Sequence, residues 1–114
     1  IQYALTYPDR IYNSFKRFNF MDYPQLTFEK PDLETFRCLG LAFDAIDKGG
    51  NVPCVLNAAN EITVQAFLED KIKFTNIARI NEETMTKSLF VKLPTLNDYI
   101  ESNKMAREIA CSLI

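Results

Sequence analysis

The sequence predicts a mainly α-helical fold: a four-helix bundle preceded by an extended arm with short β-strands. Three observations carry this. Residues 53–68 are apolar on a helical period and too apolar for a surface position. Punctuation at Gly49-Gly50, Pro53 and Pro94 cuts the chain around them into helix-length segments joined by short links. Residues 1–30, in contrast, are aromatic-rich and partly alternating, with no helical period. The expected boundaries are an arm at 1–31 and a helical bundle at 32–114.

In the arm, Ile1–Tyr7 alternates larger apolar with smaller or polar residues and ends at the turn-like Pro8-Asp9-Arg10. Ser14–Phe20 and Gln25–Glu29 are two further strand candidates, the second stopped by Lys30-Pro31-Asp32. Such pieces are too few for a sheet of their own, so they are expected to extend one formed elsewhere. The first helix starts near Asp32 or Thr35, either a suitable N-cap. Phe36, Leu39, Phe43 and Ile46 form its expected core face, and Lys48-Gly49-Gly50 ends it. The short link to Pro53 makes it an antiparallel neighbour of the central helix, which buries Val55, Ala59, Ile62 and Ala66. A third helix, about 76–88 with Thr75 as N-cap, is anchored by Ile77, Ile80 and Met85. The fourth runs from 96 to the end behind a Thr95–Asp98 capping box. Its expected stripe is Leu96, Tyr99, Ala106, Ala110 and Leu113, flanked by Ile100 and Ile109.

The central helix carries one polar anomaly. Asn57, Asn60 and Glu61 lie at i, i+3 and i+4 and so share one face. Asparagine is a mediocre helix former, and a buried amide without partners costs about 1–3 kcal/mol, so tertiary hydrogen bonds are expected here. Two readings stand: polar clamping of a neighbouring loop or helix terminus, and a ligand-facing amide–carboxylate cluster.

Composition removes most chemistry. The chain has 114 residues, 47% hydrophobic and 25% charged, and a formal net charge of −2, which gives no basic footprint for nucleic acid. No apolar run approaches the roughly 18–20 residues that span a bilayer, and no signal peptide is present, so the cytoplasm is the expected location. There is no histidine, which excludes Ser-His and Cys-His nucleophile pairs and His-based zinc sites. None of the three glycines belongs to a phosphate-binding loop. Cys38, Cys54 and Cys111 read as small reduced core residues. Cys54 falls in the first turn of the central helix with no basic residue within sequence reach, which favours a packed thiol over a reactive one. Glu82-Glu83 lacks an acidic partner at i+3 or i+4 and reads as a solvated face. A chain that begins at Ile1 and lacks catalytic apparatus is expected to be a piece of something larger.

Three segments, read together, resemble the C-terminal part of 1-deoxy-D-xylulose 5-phosphate reductoisomerases. They are Ile1-Gln2-Tyr3-Ala4-Leu5-Thr6-Tyr7-Pro8-Asp9-Arg10, Leu26-Thr27-Phe28-Glu29-Lys30-Pro31-Asp32, and Leu56-Asn57-Ala58-Ala59-Asn60-Glu61 followed by Phe67-Leu68 and Ile72-Lys73-Phe74-Thr75. The resemblance spans essentially the whole chain. It implies a homodimeric parent enzyme that converts 1-deoxy-D-xylulose 5-phosphate to 2-C-methyl-D-erythritol 4-phosphate with NADPH and Mg2+ or Mn2+, in non-mevalonate isoprenoid biosynthesis. It further implies that the nucleotide loop, the metal ligands and the substrate-phosphate residues lie upstream of Ile1. This chain alone is then expected to be inactive, with no cofactor of its own, and to support and flank the active site. The upstream nucleotide-binding and catalytic domains become its partners, and residues 1–31 the end of the catalytic domain. Leu5 takes the place where many relatives have a methionine lining the cleft near the nicotinamide. It is either a pocket wall or plain packing in the arm. Asn57, Asn60 and Glu61 become structural or interface residues. The alternative is a free-standing helical interaction module.

Overall fold

The computed structural model describes residues 1–114 as five helices: α1 (Gln2–Thr6), α2 (Arg37–Lys48), α3 (Val52–Leu68), α4 (Phe74–Lys87) and α5 (Leu96–Ser112). The chain divides into two compact units, residues 1–30 and 31–114.

The first unit corrects the expected arm, for it contains no β-strand. Gln2–Thr6 is a short helix, and 14–20 and 25–29 have no regular structure. A strand needs a neighbour for its backbone groups, and none is available here. The alternating stretch also carries i,i+4 pairs, which a helical turn satisfies locally. The Leu5 N–H donates to the Ile1 carbonyl at 3.1 Å, and the Tyr3 and Tyr7 rings meet edge to face at 5.8 Å. Phe18 stacks on Tyr23 at 5.3 Å and meets Phe20 edge-on at 4.9 Å.

In the second unit α3 is central, packing against α2, α4 and α5. Val55, Ala59 and Ala66 of α3 are buried as expected, Ala58 is buried beside them, and Ile62 is half-buried against the core. Val55 and Ala58 meet Ala106 of α5, with Met85 of α4 packed beside them. Ala59 meets Ile80 of α4 and Ala110 of α5. Alanines at the crossings let the helix axes approach closely, since interaxial distance is set by the side chains at the contact.

Element ends follow their local chemistry. Gly49, at φ +64°, closes α2, and its N–H donates to the Ala45 carbonyl at 3.0 Å. Pro53 lies in the first turn of α3, where its absent N–H is harmless. The Thr95–Asp98 capping box is present: the Asp98 N–H donates to Thr95 Oγ1 at 3.3 Å, and the Thr95 N–H to Asp98 Oδ2 at 2.8 Å. Helix α2 begins at Arg37 rather than at 32–35, because Asp32 spends its carboxylate on a turn, accepting from the Glu34 and Thr35 N–H groups at 3.0 Å. Helix α4 begins at Phe74, so Thr75 lies inside it and is not its cap.

The largest departure is the outward face of α2. Phe36, Leu39, Phe43 and Ile46, expected in the core, are 64%, 39%, 53% and 70% exposed, whereas Gly40, Leu41 and Ala45 are buried. The helix has apolar residues on two faces, and the bundle takes the one whose small residues permit close approach. Helix α5 behaves similarly: Ala106 and Ala110 are fully buried, but Leu96 is 75% exposed. Cysteine placement also differs from expectation, since Cys38 and Cys111 are exposed free thiols and only Cys54 is half-buried.

Candidate functional site

The polar residues of α3 do not form one cluster. Asn57 and Glu61 lie one turn apart, and Asn57 Nδ2 donates to Glu61 Oε1 at 3.1 Å. The other carboxylate oxygen of Glu61 pairs with the Arg107 guanidinium of α5, whose Nε donates to Asn103 Oδ1 at 2.8 Å. Asn60 turns instead to α4. Its Oδ1 accepts from Asn81 Nδ2 at 3.1 Å, and Asn81 Oδ1 accepts from Thr63 Oγ1 at 3.0 Å. Asn60 and Glu61 therefore tie α3 to two different helices, while Asn57 bonds within α3.

The Arg107 hydrogen bond, helped by the Asn57 amide, holds the Glu61 carboxyl below its ordinary range. Arg37 of α2 does the same to Glu82 of α4 across a second inter-helix pair. A carboxyl lowered in the folded state stabilises it above the ordinary glutamate range, about 4.3, and that contribution is lost as pH falls through the folded value. The thermal midpoint of the chain is expected to drop on acidification below about pH 4.5. Arg107→Gln should make that drop shallower, and 0.5 M salt should mimic the substitution because both groups are partly exposed. An unchanged acid limb in Arg107→Gln would remove Glu61 from the account.

The loop clamp anticipated for Asn57, Asn60 and Glu61 belongs to Asn51, which sequence reasoning passed over. Asn51 is 1% exposed. Its Nδ2 donates to the Leu89 carbonyl and to Ser102 Oγ, both at 2.9 Å, and its Oδ1 accepts from the Val91 N–H at 2.9 Å. The backbone adds a bond from the Asn51 N–H to the Val91 carbonyl at 3.1 Å. One side chain thus fastens the 88–91 loop and α5 to the start of α3. The available signal was weak, since Asn after Gly-Gly reads first as a turn residue. Asn81, Thr63, Thr84 and Ser102 are also buried, and no buried side-chain polar atom is without a partner.

Open space lies mainly at helix junctions. A groove of about 400 Å3 between α2 and α3 is walled by Ala42, Ile46, Pro53 and Leu56, with Asn57 and Asn60 along it. A smaller cavity, about 250 Å3, sits beside Asn51, between Val55, Met85, Ser88 and Phe90. Leu5 lies on α1 and is 81% exposed. No group of three or more His, Cys, Asp or Glu is placed to hold a metal ion. No helix is long and apolar enough to cross a membrane. This is chemistry that fastens helices to one another.

A family profile described as the DXP reductoisomerase C-terminal domain matches residues 1–109. The chain belongs to this family. Curated DXP reductoisomerases from Bacteroides thetaiotaomicron and Phocaeicola vulgatus are 49% and 47% identical over 114 residues, covering 100% of this chain and 29% and 30% of theirs. The Thermoanaerobacter pseudethanolicus protein is 52% identical over 111 residues, covering 95% of this chain and 28% of its own length. Among solved structures, the Zymomonas mobilis reductoisomerase in complex with NADPH matches with a TM-score of 0.80 and 39% identity, over 97% of this chain and 29% of that one. The chain therefore spans under a third of the reductoisomerases it matches.

Proposed function

We propose that this chain serves as the non-catalytic C-terminal domain of a 1-deoxy-D-xylulose 5-phosphate reductoisomerase, supporting and flanking an active site built by the rest of the enzyme. The parent converts 1-deoxy-D-xylulose 5-phosphate to 2-C-methyl-D-erythritol 4-phosphate with NADPH and Mg2+ or Mn2+, in the cytoplasm and as a homodimer. The observation that supports this most directly is the family match over residues 1–109. In this reading residues 1–31 close the catalytic domain and Leu5 walls the pocket near the nicotinamide. Asn60 and Glu61 keep α3 fixed against α4 and α5, with Asn57 bonding Glu61 from within α3, so that the bundle meets its partner as one body.

The partner surface is the outward face of α2. Four large apolar side chains, Phe36, Leu39, Phe43 and Ile46, stand in solvent here, a patch that ordinarily marks an interface. Its occupant is the remainder of the reductoisomerase polypeptide, because more than two thirds of a relative's length lies outside the matched part.

The test uses this chain alone and a chimaera in which it replaces the matched part of the Bacteroides thetaiotaomicron enzyme. The chain alone should oxidise no NADPH with substrate and metal; the chimaera should. Phe43→Asp should change the stability of the isolated chain by no more than about 0.5 kcal/mol, as for an ordinary surface site. In the chimaera the same substitution should lower activity at least tenfold, through roughly 1.4 kcal/mol or more of lost docking. Turnover by the chain alone, or a chimaera indifferent to Phe43→Asp, would defeat the proposal.

A further inference from the structure

Residues 1–17 build a small polar pocket that the family reading does not use. It encloses about 160 Å3 and is lined by Gln2, Tyr3, Thr6, Arg10, Asn13 and Arg17, among others. That volume is below the roughly 300–1,000 Å3 of a drug-sized site but fits a single charged headgroup. Two guanidiniums share it, and neither has a carboxylate of this chain within ion-pair distance. Among the acidic residues of the same unit, Asp22 is taken by Lys16 at 3.8 Å. Asp9, although adjacent to Arg10 in sequence, forms no ion pair; its backbone carbonyl accepts from Thr6 Oγ1 at 2.7 Å.

The surrounding loop is fastened down before any ligand arrives. Gln2 Nε2 donates to the Ile11 carbonyl at 3.0 Å, Asn13 Nδ2 donates to Gln2 Oε1, and Asn13 Oδ1 caps the Phe15 N–H at 3.0 Å. Arg10 lies over the Tyr3 ring, with its guanidinium carbon 4.2 Å from the centroid. This cation–π contact commits none of the guanidinium N–H groups to a hydrogen bond, and those N–H groups are the part that recognises phosphate in a fork.

We propose that this pocket is an oxyanion site for a phosphate monoester, held by Arg10 and Arg17 with Asn13 and Thr6 as neutral polar neighbours. Guanidiniums favour phosphate over a point-charge match because paired N–H groups meet paired oxygens. The site lies wholly within residues 1–30, so it stands or falls independently of the α2 surface and of the reductoisomerase assignment.

The experiment is a titration of the 114-residue chain with glycerol 3-phosphate at low salt, read by the arginine Nε–H NMR signals, with sodium acetate in parallel. The expected result is a saturable shift at Arg10 and Arg17, with a dissociation constant of about 1 mM or below. Arg10→Gln and Arg17→Gln should each weaken binding roughly tenfold. Lys16→Gln, which removes a nearby charge from outside the pocket, should leave it unchanged. Arg17 makes no hydrogen bond or ion pair in the structure, so affinity lost in Arg17→Gln is not a folding effect; unchanged Gln2 and Asn13 side-chain amide signals in the same NMR spectra provide the check for Arg10→Gln. Acetate binding as tightly as the monoester, or equal losses in Lys16→Gln, would overturn the proposal. So would shifts that never saturate, which indicate diffuse charge attraction.

Discussion

Asn51→Ala is expected to cost the helical unit about 2–4 kcal/mol, the largest loss available from any single polar side chain in this chain. The substitution removes three side-chain hydrogen bonds at once, to the Leu89 carbonyl, Ser102 Oγ and the Val91 N–H. Ser102 is itself buried, so its hydroxyl has little access to replacement water. The void left by the amide is lined by polar groups of the 88–91 loop and of α5, and no rearrangement of an alanine satisfies them. Set against the 5–15 kcal/mol typical of a whole domain, this is a substantial share. Urea unfolding followed by circular dichroism measures it, with Asn57→Ala as comparison. Asn57 is exposed and bonds only its own-helix neighbour Glu61, so its loss should fall within about 0.5 kcal/mol. If the two alanine variants unfold at the same urea concentration, the Asn51 clamp contributes nothing to stability.

The contrast between Asn51 and Asn57 marks how far the sequence was legible. The central helix was readable because its apolar period is unambiguous and every wall of the bundle uses it: Val55, Ala59 and Ala66 are buried. The α5 capping box was readable because it is a local exchange between residues three apart. Asn57, Asn60 and Glu61 were visible as an anomaly, yet spacing along one helix does not say which neighbour faces it. Glu61 meets α5 and Asn60 meets α4. Asn51 was invisible for the converse reason: its partners, at 89, 91 and 102, are distant in sequence, and its setting after two glycines looks like an ordinary turn. Helix α2 failed differently. Its strongest apolar stripe predicts a core face there, but side-chain size along a helix reports burial without naming what does the burying. Residues 1–7 failed because alternation over so short a span fits a helical turn as well, and local hydrogen bonds decided the matter.

Gly50→Ala is the second large effect, and it couples to the first. Gly50 has φ +59°, in the left-handed region where a side chain costs roughly 1–2 kcal/mol. An added Cβ would also overlap the Val91 carbonyl oxygen and lie 2.9 Å from Phe90 Cε2. Overpacking of that kind adds about 1–3 kcal/mol, giving an expected loss of about 2–5 kcal/mol for the helical unit. Gly49→Ala separates the two contributions. Gly49 shares the positive φ, at +64°, but nothing lies within 4 Å of its would-be Cβ. That variant should show backbone strain alone, about 1–3 kcal/mol. The oxygen that Gly50→Ala displaces is the same one that accepts the Asn51 N–H, and the Val91 N–H is the donor to Asn51 Oδ1. A methyl at position 50 therefore loosens the loop that Asn51 holds, and much of the clamp is already lost when the amide is then removed. The double variant Gly50→Ala/Asn51→Ala should cost less than the two single losses added together, by about 0.5–3 kcal/mol. Urea midpoints for the four proteins of that cycle give the coupling directly. Strict additivity would mean that the glycine and the asparagine act on the 88–91 loop independently, and that the close approach at Gly50 is relieved by Phe90 and Val91 moving without disturbing the clamp.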